Sequence, residues 1–255
     1  MKKHKPIEQL RPEEAQKQFA SYFEKIAYRR TVSEVFTDFI DYAVLMLNIN
    51  KKAEDFKELE KRYTTKEEHI MFFQMFELMA TASFDFTDAL GDLFMDLVSH
   101  GHNGQFFTPQ PICDMMSIMT IAPDQLEDGK SVLDCACGSG RMLLAAAKRN
   151  RNLKFYGSDL DLTCVKMTLI NMVLNTMVGE VAHMDTLTLQ HFKTYNVRKV
   201  YDPGTNHYLP YYYESNANPF IIQKIKESSV EGSEELSSDP VEELLVNKKG
   251  QILLF

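Results

Sequence analysis

Val132-Leu133-Asp134-Cys135-Ala136-Cys137-Gly138-Ser139-Gly140 is a short apolar run that closes on an acid and then on a glycine turn. Met142 to Lys148 follow with good helix formers, so the turn joins a buried strand to a helix. Gly138 and Gly140 let the backbone turn tightly and let a ligand approach the main chain, while the helix N-terminus behind them offers unpaired N–H groups. The pattern is not the dinucleotide GxGxxG, whose third glycine is missing, nor a P-loop, because no Gly-Lys-Ser/Thr follows. Asp134 at the strand end would repel a phosphate and suits a ligand with cationic character. An adenosyl ligand carrying an amino-acid tail meets that requirement.

Downstream, Lys154 to Asp159 reads as a second short strand ending in an acid. Asp159 lies about 20 residues beyond the turn, where an α/β nucleotide fold places its ribose-hydroxyl acceptor. Asp161 reads as the N-cap of a helix over Leu162 to Met177, and Val181 to Leu187 as a third strand with Asp185 near its exit. Asp134, Asp159 and Asp185 thus fall at consecutive strand ends. Strand and helix alternate, which predicts a parallel α/β sheet with the ligand across its carboxyl edge.

Upstream, Ser99-His100-Gly101-His102-Asn103-Gly104 breaks the helical pattern and marks a loop. Phe106 and Phe107 offer faces for a ligand, Thr108 a hydroxyl, and Pro109 stiffens the entry to a helix beginning near Gln110. His100 and His102 lack a third ligand and read as loop histidines, so no metal site is expected.

Two motifs carry a family resemblance. Asp134-Cys135-Ala136-Cys137-Gly138-Ser139-Gly140 resembles the S-adenosylmethionine turn of adenine-specific DNA methyltransferases, particularly the modification subunits of type I restriction systems. Gly104-Gln105-Phe106-Phe107-Thr108-Pro109 is similar to that family's other cofactor motif and precedes the turn in the family's order. The resemblance runs from about Asp88 to Leu187. It implies a shortened Rossmann-like methyltransferase domain over residues 101–255, preceded by a helical domain over 1–100. It also implies S-adenosyl-L-methionine held by Gln105, Phe106, Phe107, Thr108, Pro109, Asp134, Ala136, Cys137, Gly138, Ser139, Gly140, Asp159, Leu160, Asp185 and Thr186. Asp185 resembles the acid that accepts the cofactor's adenine amine.

Methyltransferases of this kind use Asn-Pro-Pro and an aromatic to hold and stack the flipped base. The nearest match is Asn218-Pro219-Phe220, one proline short, and Asp202-Pro203-Gly204 is an alternative without the aromatic. As plain sequence, both are also ordinary turn dipeptides. Only Val197 to Tyr201 looks strand-like ahead of them, since Asn206 to Asn218 is polar, tyrosine-rich and broken by Pro210. Those tyrosines suit either base stacking or packing against the sheet.

The first hundred residues read as helix, with an apolar stripe at Val32, Val35, Phe36, Phe39, Ile40, Ala43, Val44 and Leu47. A second helix is expected over Lys66 to Ala82, capped by Thr65, with Ile70, Phe73, Phe76 and Met79 inward. A third covers about Thr87 to Ser99 and buries Leu90, Leu93, Phe94 and Leu97. At 255 residues and 44% hydrophobic content the chain can bury a real core, and Cys113, Cys135, Cys137 and Cys164 lack metal-site spacing. No membrane-length apolar run or signal-peptide core is present, so a cytoplasmic protein is expected.

The net charge of −8 does not advertise a DNA-gripping face. The clusters Arg29-Arg30, Lys148 to Arg151 and Lys248-Lys249 read as solvated ends, and Lys226 to Glu243 as a mobile acidic segment. Double-stranded DNA, gripped through a separate specificity subunit, is the expected partner. The leading expectation is methylation of the adenine exocyclic amine in a restriction-modification-like system. The alternatives are a cofactor-binding partner that has lost catalysis, and a methyltransferase acting on protein or a small molecule.

Overall fold

The computed structural model describes residues 6–99 and 106–217. Its first part is helical: α1 (Pro12–Ala27), α2 (Val32–Leu47), α3 (Lys57–Arg62), α4 (Lys66–Ala82) and the short α5 (Ala89–Leu93), which continues as a π-helical turn over Phe94–Ser99. Local chemistry sets the starts of the longer helices. Thr31 Oγ1 accepts from the Glu34 amide at the head of α2, and Thr65 forms a reciprocal capping box with Glu68 at the head of α4.

The expected inward face of α4 needs correction. Ile70 and Phe73 are each 46% exposed, while Phe72, Met75, Leu78, Met79 and Ala82 are buried. This helix is apolar around most of its circumference, so more than one stripe satisfies a 3.6-residue period, and packing against α1 selects among them.

The second part alternates strand and helix. After α6 (Gln110–Thr120) come β1 (Ser131–Asp134), α7 (Arg141–Arg149), β2 (Lys154–Asp159), α8 (Leu162–Leu174), β3 (Val178–Asp185), β4 (Gln190–Asp202) and β5 (His207–Ser215). The strands lie in the order β1-β2-β3-β4-β5. The first three are parallel, in register Ser131 to Lys154 and Lys154 to Val178. β4 and β5 are antiparallel, which corrects the expectation of a wholly parallel sheet. The stretch around Pro210 is also a strand. β5 is the edge strand of the described sheet, the place where a sheet tolerates proline, because alternate N–H positions there face away from the neighbouring strand.

One face of the sheet carries Phe155, Gly157, Val181, Tyr195, Val197 and Tyr212, and α7 and α8 pack on it. The same contiguous core extends through Phe19, Phe39 and Leu90 of the N-terminal helices. Tyr212 donates to the Val44 carbonyl at 3.0 Å, and Lys166 of α8 pairs with Asp41 of α2. Tyr156, Glu180, Asn196, Arg198 and Tyr213 alternate onto the other face.

Two of the basic clusters contain structural arginines, contrary to the solvated reading. Arg30 pairs with Glu68 at 2.7 Å and lies over the Tyr63 ring. Arg149 donates to the carbonyls of Ser117 and Ile121, tying α7 to the end of α6. No described helix is long and apolar enough to cross a membrane.

Candidate cofactor site

The strand-turn-helix at Val132–Gly140 folds as its glycines demand. Gly138 and Gly140 take φ of +54° and +89°, a region that favours glycine. A Cβ on Gly138 would sit 3.0 Å from the Phe107 ring, so the bare backbone also permits a close approach of the upstream motif. Phe107 in turn stacks on Phe94 with ring centroids 5.2 Å apart.

Two segments some thirty residues apart in sequence thereby meet on one cavity of about 90 Å³. Phe106, Phe107, Thr108, Asp134, Ala136, Cys137, Gly138 and Ser139 line it, joined by Cys113, Arg141 and Met142. That volume is smaller than an ordinary cofactor pocket and has room for one end of such a ligand only. Phe106 is 71% exposed, Ala136 is exposed, and both are free to meet such a ligand. Pro109 starts α6, and the Thr108 carbonyl accepts from Arg141 Nη1 at 3.4 Å.

The acids of the three parallel strand ends are each engaged with backbone. Asp134 Oδ1 accepts from the Ala136 amide at 3.2 Å. Burial raises the Asp134 carboxyl above its ordinary value, and the nearby Asp159 charge adds to that against the Ala136 hydrogen bond. Asp159 bridges turn and strand, with Oδ2 accepting from the Gly138 amide at 2.8 Å and Oδ1 from the Asp161 amide at 2.9 Å. Asp185 accepts from the amides of Thr188 and Leu187, which hold its carboxyl below the usual range. Thr186 Oγ1 donates to the Cys135 carbonyl, and Leu160 is 60% exposed beside Asp159. Asp161 caps α8 through the Thr163 amide at 2.7 Å.

These donors and acceptors fit an adenosyl ligand with a cationic tail. A partly buried carboxylate faces the cavity, glycine backbone approaches it, and aromatic rings flank it. Cys137 contributes backbone only. Its side chain is buried with Sγ 3.4 Å from Thr168 Oγ1, and burial pushes the thiol pKa up.

The sequence reading did not identify the scaffold beneath the turn. Thr168 Oγ1 donates to the Gly138 carbonyl at 2.8 Å, and Asn171 Nδ2 to the Ser139 carbonyl at 2.9 Å. Asp88 and Arg141 complete it, and no short-range motif marks them. Asp88 looks only like a helix cap, a role it also fills through the Gly91 amide.

Gln105, Asn218, Pro219 and Phe220 lie outside the described residues, as do His100 and His102. Among the described residues no group of three His, Cys, Asp or Glu is arranged to hold a metal ion. Asn218 follows Ala217, whose carbonyl accepts from Thr194 Oγ1 of β4 at 2.9 Å. That anchor is at least three strand spacings from β1, about 14 Å. Asp202, the alternative, closes the β4–β5 turn by accepting from the Gly204 amide and Thr205 Oγ1. It stands at the opposite sheet edge from Asp134, because β4 runs antiparallel to β3.

Comparison with known proteins supplies independent information. The chain matches the N-6 DNA Methylase family over residues 86–209, which includes both cofactor motifs and extends the resemblance to β4 and the start of β5. It is 30% identical over 124 residues to the type I restriction enzyme MpnII methylase subunit of Mycoplasma pneumoniae, covering 43% of this chain and 22% of that protein. It is 36% identical over 61 residues to an uncharacterized protein of Mycoplasma genitalium, covering 24% of this chain and 13% of the other. A crystal structure of a type I restriction-modification methyltransferase subunit from Streptococcus thermophilus aligns with a TM-score of 0.36 and 18% identity, over 68% of this chain and 39% of that one. The chain therefore spans about a fifth of the length of the Mycoplasma pneumoniae relative.

Proposed function

We propose that the chain, whose residues 86–209 match the N-6 DNA Methylase family, binds S-adenosylmethionine and serves methylation of the exocyclic amine of adenine in DNA. The observation that carries this reading is the meeting of Phe107 with Gly138 on one cavity with Asp134. It brings the two candidate cofactor motifs together beside a strand end.

Asp134 would hold the cationic tail of the cofactor, Asp159 the ribose hydroxyls and Asp185 the adenine amine, with Phe106 and Phe107 against apolar surface. When bound, the cofactor supplies a methyl group on a sulfonium, activated towards nucleophiles. The chain's task is then to bind, orient and exclude water, because an amine attack on an activated methyl needs positioning more than a strong base. Asn218 and Pro219 would orient the target amine and Phe220 would stack on the base. DNA would be held with a separate specificity subunit, consistent with a chain of net charge −8. The N-terminal helices would support the site and dock that partner.

A specific observation favours a second reading, in which the chain binds cofactor but leaves catalysis to another polypeptide. Among the described residues β1 is an edge strand, so nothing pairs with it beside the cofactor turn. Ala217, the last described residue, hydrogen-bonds to Thr194 of β4, across β2 and β3 from β1.

One experiment separates the two: transfer of labelled methyl from S-adenosylmethionine to unmethylated duplex DNA, with the native chain and Asn218→Ala. Label in adenine that the variant loses supports the enzyme with Asn218 in its site. Equal labelling by both removes Asn218 from catalysis. No labelling by either, with cofactor bound in calorimetry, favours the second reading.

A further inference from the structure

Asp88 is 3% exposed and lies at the head of α5, outside the strand-turn-helix that forms the cofactor cavity. Its carboxylate is saturated with donors. Oδ2 accepts from Ser139 Oγ at 2.5 Å and from Arg141 Nε at 2.6 Å, while Oδ1 accepts from Asn171 Nδ2 at 2.8 Å and from the Gly91 amide at 2.9 Å. Ser139, at 1% exposure, directs its hydroxyl to Asp88, so only its backbone is available to a ligand. Gly91 leaves the space that Asp88 and Ser139 occupy, since a Cβ there would lie 1.9 Å from Asp88 Oδ2 and 2.6 Å from Ser139 Oγ.

Arg141 carries a second ion pair, to Asp92 at 2.5 Å. Asp92 in turn accepts from Gln16 of α1 at 3.2 Å. The network therefore has two branches that share Arg141. One ends on the turn through Ser139, and the other ends on the N-terminal helices.

We propose that Asp88 is a positioning residue for the cofactor site: it fixes Ser139, and with it the backbone of the Gly138–Gly140 turn, from the helical part of the chain. This rests on the cofactor reading given above. Cofactor binding and the order of α5 are then coupled, and coupling between two sites acts equally in both directions. Asp88→Asn would leave the buried Arg141 guanidinium with only its pair to Asp92 and threaten folding, so Ser139→Ala carries the test and Asp92→Asn is its control.

The measurement is calorimetric titration of the full chain with S-adenosylmethionine, paired with thermal unfolding and with amide exchange at Gly91. Ser139→Ala is expected to lower Tm, because it removes a buried hydrogen bond to a carboxylate, and to weaken binding about tenfold at a temperature where the variant is still fully folded. Asp92→Asn is expected to lower Tm and keep native affinity. Cofactor should slow exchange of the Gly91 amide in the native chain and lose that effect in Ser139→Ala. Native affinity in Ser139→Ala, or affinity losses that merely follow Tm in both variants, overturns the proposal. A native chain that binds no cofactor overturns the cofactor reading itself, and is recognised by the absence of heat before any variant is compared.

Discussion

At Asp134 the proposed cofactor role would set binding against stability. Burial and the Asp159 charge raise its carboxyl above the ordinary value of 3.8, so the folded chain holds that proton more tightly than the unfolded chain. The contribution to stability is therefore greatest below 3.8 and is lost as pH rises to the folded value, above which it stays constant. A cationic ligand reverses the sign by favouring the ionised form. Cofactor affinity should fall as pH is lowered through the same window, with proton release on binding, and titrations in buffers of different ionisation heat would detect it. Asp134→Asn removes a charge that the fold holds at a cost. At pH 7 we expect unchanged or raised Tm together with about tenfold weaker cofactor binding. Lower Tm with native affinity would contradict this assignment. Gly138 and Asp134 of the cavity wall were readable in the sequence because backbone geometry dictates them: a glycine where φ is positive, and an acid where a strand stops. Asp88 and Arg141 were not, because their meaning comes from partners some fifty residues away.

Elements carry their own tests. Thr65→Ala removes the hydroxyl that accepts the Glu68 amide and half of the capping box at α4, and should cost about 1 kcal/mol. Thermal unfolding reads that directly, and the cofactor cavity should keep its affinity because α4 does not line it. Gly179→Ala should be far more damaging. A Cβ there would lie 1.7 Å from the Phe155 carbonyl oxygen, inside the parallel β2–β3 pairing, so the strands must separate or slip. We expect a loss above about 3 kcal/mol, visible as an insoluble or largely unfolded product. A soluble variant within about 1 kcal/mol of native stability would contradict the pairing register. The sequence located α4 and β2 to the residue, because a cap and a terminal acid punctuate them, and its apolar stripe from Val32 to Leu47 falls on α2. It missed β5, where Pro210 and polar neighbours hide a strand whose value lies in cross-strand tyrosine packing. It also misjudged the inward face of α4, where only the neighbouring helix distinguishes one apolar stripe from another.

At the scale of the whole molecule, one apolar core joins the N-terminal helices to the sheet, although the sequence reads as two successive regions. Phe39 and Ile40 of α2 belong to the same cluster as Val165 and Leu169 of α8, and the Tyr212 hydroxyl and the Lys166–Asp41 pair cross the same boundary. Removing the helices would bare one side of α8 and the face of the sheet beneath it. Such a surface is too large and too apolar to remain exposed in a stable monomer. Residues 1–217 should therefore unfold in a single transition, with far-UV and near-UV circular dichroism coincident and calorimetric and van't Hoff enthalpies equal. Residues 101–255 expressed alone should retain helical signal, lose near-UV structure and bind a hydrophobic dye. Two separate transitions, or a well-packed 101–255 fragment, would instead establish independent halves. Because Asp88 and Arg141 bridge those halves beneath the glycine turn, a fragment that fails to pack should also fail to bind cofactor. Adding saturating S-adenosylmethionine to the full chain should raise the single transition as a whole, since a ligand that binds only the folded state stabilises every element that unfolds with its site.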